Sequence, residues 1–289
     1  MGMRTIPPER LERLTPVSRH IAELVNIAQS PQQPYVGPTA FAHKAGLHAS
    51  AIARRSDAYE HVTPNLVGNG TRFVVSELAG RSTLLLKAAE LGIEIDGEGL
   101  GRVLEALKDL EHGGYHFEVA DGSLELLMRA AAGEEMRQFF RIESFRVITD
   151  WRESVGPAPR PLAHPWSSPG ELTTEATVKV HIGHERVVAT AEGNGPVNAL
   201  DAALRLAIEP YFAGLPAMHL TDYRVRVLDT AKGTAAVTRV LLDTADAEGS
   251  WSTIGVSENI IEASWQALVD AVVFGLVRAA GVTASSARR

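Results

Sequence analysis

Apolar and polar positions alternate with a period of two along Asp222-Tyr-Arg-Val-Arg-Val-Leu-Asp229. Tyr223, Val225 and Val227 therefore share one face, as a half-buried strand requires. Ala235–Asp243 and Ser250–Val256 predict two more strands. The period then becomes helical: from about Ser257 to Ala280, Ile261, Trp265, Leu268, Val272 and Leu276 form one stripe. The same order occurs upstream. Ser144–Asp150 resembles the Asp222 strand, and Thr174–Ile182 alternates through Val178, Val180 and Ile182. Glu185–Ala191 follows, and then a helix with Val197, Leu200, Leu204 and Ile208 on one stripe. The unit is strand-strand-strand-helix, twice. One such unit cannot bury both faces of its sheet. Two sheets must pack together, with the helices either covering the outer faces or enclosed between them.

Before residue 140 the pattern is helical and short. Residues 8–29 place Val17, Ile21, Leu24, Val25 and Ala28 on one face, and Pro31, Pro34 and Pro38 then force an irregular connection. Residues 46–56 predict a short helix and residues 58–72 a loop. Ser82–Leu91 predicts a helix with Leu84, Leu85, Ala88 and Leu91 inward, stopped by Gly92. Residues 98–112 and 121–132 predict two more. The fold class is thus α+β: small helical subdomains over 1–140, a duplicated βββα domain over 141–282, and a frayed tail over 283–289. Five prolines between Pro157 and Pro169 mark an exposed insertion or linker.

Composition narrows the function. A formal net charge of −7 argues against a general nucleic-acid binder. There is no cysteine, so disulfides and thiol chemistry are absent. No apolar run approaches the roughly 18 residues of a membrane helix, and the N-terminus lacks the apolar core of a signal peptide. No membrane partner is expected, and a cytoplasmic location is the default.

Candidate chemistry sits in two kinds of place. In Phe41-Ala-His-Lys-Ala-Gly-Leu-His48, the second histidine precedes a short helical segment. A helix start holds imidazole neutral, which suits a base or hydrogen-bond partner. A structural or solvent-facing histidine fits the same pattern. The five-residue spacing of His43 and His48 is not a metal signature, so no metal site is expected. Arg81 follows a glycine before a helix, a geometry that can hold an anion or equally a plain N-cap. The duplicated loops are more informative. Gly193-Asn-Gly-Pro-Val-Asn198 and its echo Ser257-Glu-Asn-Ile260 each join a strand to a helix, where free amides can receive a small carboxylate. Gly193, Asn194, Gly195, Asn198, Ser257 and Asn259 are the candidate effector contacts there. Asp222, Tyr223 or Asp229 can answer an ammonium group. A unit duplicated with its loop is the layout of a ligand sensor more than of a catalyst.

Ala40–Ile52, Tyr59–Gly68 and Ser76–Ser82 resemble the post-barrel region of the 2-isopropylmalate, homocitrate and citramalate synthase family. Gly193–Leu204, Asp222–Asp229 and Gly255–Leu268 resemble that family's regulatory domain, closest in wording to the citramalate branch. The resemblance implies a fragment of an enzyme that condenses acetyl-CoA with a 2-oxoacid, pyruvate in the citramalate branch of isoleucine synthesis. Family enzymes begin with a (β/α)8 barrel that holds a divalent metal and the 2-oxoacid. This chain has no matching barrel or His-X-His metal pair. It is therefore not expected to hold a cofactor or to condense anything alone. The full-length enzyme is expected to use a divalent metal and acetyl-CoA, with the barrel in cis or from a neighbouring gene. His48 matches the histidine that reaches the active site of the partner subunit. The tyrosine of some relatives has no counterpart in Gly68-Asn-Gly-Thr-Arg72, which leaves Tyr59 as a weaker candidate. The resemblance further implies a homodimer and feedback by a branched-chain amino acid, isoleucine first. Part of a 2-isopropylmalate or homocitrate synthase, or a standalone amino-acid-binding module, are the alternatives.

Overall fold

The structure, a computed structural model, describes residues 6–25, 27, 30, 32–37, 39–44, 51, 55, 59–74, 80–133, 139–153, 170–212 and 215–286. The fold is α+β, in two compact units. The first comprises residues 1–112 with 131–133, and the second 113–130 with 134–289. The excursion 113–130 thus groups with the repeats, whereas the sequence pattern put the boundary near 140.

In the first unit, a 3-10 turn at Pro8–Arg13 leads into α1 (Leu14–Leu24). The stripe Val17, Ile21, Leu24 and Val25 lies exposed. Two three-residue strands, β1 (Ala42–Lys44) and β2 (Arg72–Val74), pair in parallel. They are too short to show a period in the sequence. α2 (Arg81–Leu91) buries Leu84 and Ala88, but Leu85 faces out. Gly92 ends it in the left-handed region at φ 67°, where a Cβ would be strained. α3 (Gly97–His112) buries Leu100, Val103 and Leu107. Residues 46–50, 52–54 and 56 of the predicted short helix, and Pro157–Pro169, lie outside the described residues.

The second unit opens with α4 (Asp121–Ala131), whose last residue groups with the first unit. Then come two three-stranded antiparallel sheets, each followed by a helix. β3 (Arg141–Glu153), β4 (Gly170–Ile182) and β5 (Glu185–Gly193) precede α5 (Pro196–Ile208). β6 (His219–Val227), β7 (Thr238–Ala245) and β8 (Ser250–Ser257) precede α6 (Ile260–Ser286). The helical pattern thus continues past residue 283, where a frayed tail was expected.

Period-two burial sets the inner faces. Ala176, Val178 and Val180 of β4, and Val240 and Leu242 of β7, are buried. Cross-strand register adds Phe145 and Val147 on one sheet and Tyr223 and Val225 on the other. One continuous core joins both inner faces to Leu200, Leu204 and Ile208 of α5 and Leu268, Val272 and Leu276 of α6. Trp265 of α6 packs on Phe145 of β3, with ring centroids 4.9 Å apart. The helices therefore lie enclosed between the sheets, one of the two arrangements open from sequence. Ile260–Ala280 is long and apolar enough for a membrane span, and most of it is buried in this core.

β5 is shorter than β3 and β4, so the outer end of the β3–β4 hairpin runs beyond the start of α5. There Trp151 and Leu172 face each other across the ladder, 55% and 59% exposed. β6 presents Tyr223, Val225 and Val227 on its inner face, each exposed as well.

Candidate functional site

Each strand-to-helix loop is built on a close approach of sheet and helix. Gly193 ends β5, and a Cβ there would run into the backbone of Ala199. Gly255 of β8 holds the same position against Ala263 of α6. The two loops then diverge. In the first, Asn198 turns back so that its Oδ1 accepts from the Asn194 N–H at 3.0 Å. Gly195 is the N-cap residue in extended backbone, Pro196 opens the helix, and no side chain caps it. In the second, Asn259 Oδ1 accepts from Ile261 N at 2.9 Å, and Ser257 Oγ accepts from Asn259 N at 3.0 Å. Ser257 Oγ also donates to Glu262 Oε2 at 2.7 Å. This is a closed cap, in which side chains already satisfy the helix-start amides. No side chain caps the first helix start, where Pro196 carries no N–H, whereas the second is capped by Asn259.

The β6 candidates separate. Tyr223 points inward, and its Oη lies 2.8 Å from Ser264 Oγ on α6. Ser264 donates to the Ile260 carbonyl, so the phenol is the donor in the first bond. Asp222, the next residue, projects to the opposite face. It pairs there with Arg224 at 3.1 Å, which also reaches Asp243 at 2.6 Å. Asp222 and Tyr223 are therefore not brought to one ligand. Asp229 sits 3.5 Å from Lys232.

His48 lies outside the described residues. Tyr59 is 49% exposed, on a turn pinned by its neighbour Glu60. That buried carboxylate accepts from Thr71 Oγ1 at 2.6 Å and meets His43 Nε2 at 3.1 Å. In the sequence, Glu60 has no role beyond a nonspecific Tyr59-Glu60-His61 run and Thr71 is unmarked, because neither stands in a spacing that marks chemistry. No cluster of three metal-ligand side chains occurs among the described residues.

A second polar group missed from sequence is Tyr115, Ser123, Gln266 and Asp270. Its one sequence signal is an acid inside a long apolar helix. Ser123 Oγ donates to Asp270 Oδ2 at 2.6 Å, and Tyr115 Oη donates to Gln266 Oε1 at 2.9 Å. Burial pushes the Asp270 carboxyl up to about 6, against the Ser123 bond that lowers it. Burial, then the charge of Asp270, raises the Tyr115 phenol. The folded state therefore binds an extra proton between about pH 4 and 6. Stability from this group is full below the unfolded value of 3.8 and is lost as pH rises through about 6. Ionised, and allowing for partial exposure, it costs about 1–2 kcal/mol. Asp270→Asn should raise the melting temperature by roughly 2–8 °C near pH 7.5. The advantage over wild type should vanish below about pH 4. Melting curves of both proteins across this range check it, and an equal midpoint near neutrality would contradict it.

Residues 118–276 match the LeuA allosteric (dimerisation) domain, and residues 35–114 match the homocitrate synthase post-HMGL domain-like family. The chain is 49% identical over 280 residues to an (R)-citramalate synthase of Streptomyces coelicolor, covering 96% of this chain and 50% of that protein. It is 46% identical to an (R)-citramalate synthase of Synechocystis, covering 94% and 48%. A probable 2-isopropylmalate synthase of Methanopyrus kandleri is 30% identical, with 91% and 48% covered. The chain spans about half the length of these relatives.

Proposed function

The chain belongs to the LeuA allosteric (dimerisation) domain family, and we propose that it is the regulatory and linker part of a citramalate-synthase-like acyltransferase of the cytoplasm. The observation that carries this reading is the duplicated βββα unit with one uncapped helix start. A branched-chain amino acid, isoleucine first, would place its carboxylate at the start of α5, near Gly193, Asn194, Gly195 and Asn198. Its apolar side chain would lie on the inner sheet face. Ser257 and Asn259 would shape the second loop rather than bind, since their polar atoms are already used. A (β/α)8 barrel, in cis or as a separate chain, would hold the divalent metal and acetyl-CoA. The exposed stripe of α1 suits such a covering domain. His48, with Tyr59 as the weaker candidate, would reach the barrel of the partner subunit.

Calorimetry of the 289-residue chain with isoleucine, leucine and valine tests the reading. Isoleucine should bind at sub-millimolar concentration. Tight leucine binding without isoleucine binding would replace the citramalate assignment by 2-isopropylmalate synthesis. Binding of none at millimolar concentration would defeat the sensing claim.

The same reading includes a homodimer. A second copy would cover the inner-face residues left exposed on β6 and at the β3–β4 end, since isolated apolar patches of this kind mark association surfaces. Trp265, although apolar and central, is buried within the chain's own core and is not part of that surface. Val225→Asp should convert the dimer to a folded monomer in light scattering. A wild-type chain that stays monomeric at all concentrations would count against the dimer.

A further inference from the structure

Residues 113–130 leave the first unit and return to it. α3 ends at His112, and residues 131–133 group with the first unit again, where Arg102 Nη2 donates to the Ala131 carbonyl at 2.7 Å. Between these points the chain follows β8 and α6. It is fastened there by side-chain hydrogen bonds instead of a strand ladder, beside apolar packing in which Leu126 joins the core of the repeats. Asp121 Oδ1 accepts from Ser252 N at 2.8 Å, and Ser123 Oγ accepts from Ile254 N at 3.1 Å. Arg239 Nε donates to the Gly114 carbonyl at 2.6 Å. On α6 the anchors are Gln266, bonded to Tyr115, and Asp270, bonded to Ser123. Gln266 Oε1 also takes the Val256 N–H at 3.0 Å. Gly114 and Gly122 fit closely, since a Cβ on either would meet Leu228 or the Ser252 carbonyl.

We propose that residues 113–130 are a coupling strap: a shift of β8 or α6 is passed through these bonds to α3 and to 131–133, which continue the strap covalently at either end. β8 and α6 are the two elements joined by the second loop, so any ligand that moves them pulls on the strap. Unlike the apolar packing, the polar anchors are contacts that can be made and broken singly. Apolar side chains of similar volume would hold a fixed contact at least as firmly as a partly buried carboxylate on a hydroxyl. Tyr115 is the titratable group on the strap that faces Asp270, and Glu262 adds negative charge at the phenol. The proposal goes beyond the sensing reading and holds whether or not an amino acid is the ligand.

Hydrogen exchange of the 289-residue chain without ligand tests it. The variants are Ser123→Ala and Tyr115→Phe. Loss of one such bond should speed local opening by about fivefold. Faster exchange is expected in 113–130, in 252–256 and in 97–112, although neither variant alters α3. Faster exchange confined to 113–130 and 252–256 would make the segment a static staple and overturn the proposal. Unchanged exchange everywhere would overturn it too. If Ser123→Ala does not fold, the milder Tyr115→Phe decides alone. Adding isoleucine separates the two readings. Protection that spreads from 193–198 to 252–270 without any change in 97–112 defeats coupling. Absence of binding defeats sensing only, and the ligand-free comparison still decides the strap.

Discussion

Gly255→Ala should cost the fold about 3 kcal/mol, the top of the range for overpacking. The melting temperature should fall by roughly 6–12 °C. The added Cβ would overlap the Ala263 carbonyl and lie 2.9 Å from Ala267 N. Both are backbone atoms of α6, so no flexible side chain can give way. The whole helix must move, and its buried stripe Leu268, Val272 and Leu276 would move with it. Gly193→Ala should cost less. It meets the Ala199 backbone and the Asn198 amide, at a helix start that no side-chain cap holds in place. Thermal unfolding followed by circular dichroism checks both. A Gly255→Ala midpoint within about 2 °C of wild type would contradict the close approach of β8 to α6.

The repeats were legible because their periods are clean. Val178 and Val180 alternate with Thr177 and Lys179, and burial follows that alternation. Leu200, Leu204 and Ile208 fall on one buried stripe for the same reason. Short helices were less faithful. Leu85 sits one residue from Leu84 and reads as apolar, yet a helix as brief as α2 buries only a narrow face. The α1 stripe shows a further limit, since period reports amphipathicity and not what covers the apolar side. The grouping of 113–130 with the repeats was hidden because its anchors, Asp121 and Ser123, bond to backbone amides of β8. Contacts to backbone leave no pattern of side-chain types in the partner strand. In the candidate site, the two loops read as equivalents. Their difference lies in which side chain turns back on the helix, and composition does not encode that.

His48→Ala, in a barrel-containing form of the enzyme, should lower turnover of acetyl-CoA and pyruvate by about 100-fold or more, the scale of a general acid–base group. The family resemblance motivates this expectation. Initial-rate assays with both substrates saturating separate loss of turnover from weakened binding. Turnover equal to wild type would return His48 to a structural role. Tyr59→Phe belongs in the same experiment and should cost less, because the exposed phenol is the weaker candidate.

Under the proposed sensing role, the unequal caps also set a number. Two copies of one ancestral unit would begin with two equivalent sites in each chain. Here Asn259, Ser257 and Glu262 seal one of them with the chain's own side chains, while the start of α5 stays open. Occupancy should then saturate at one amino acid per chain, two for a dimer and not four. The duplication would have kept one half to receive the signal and turned the other into the half that hands it on through residues 113–130.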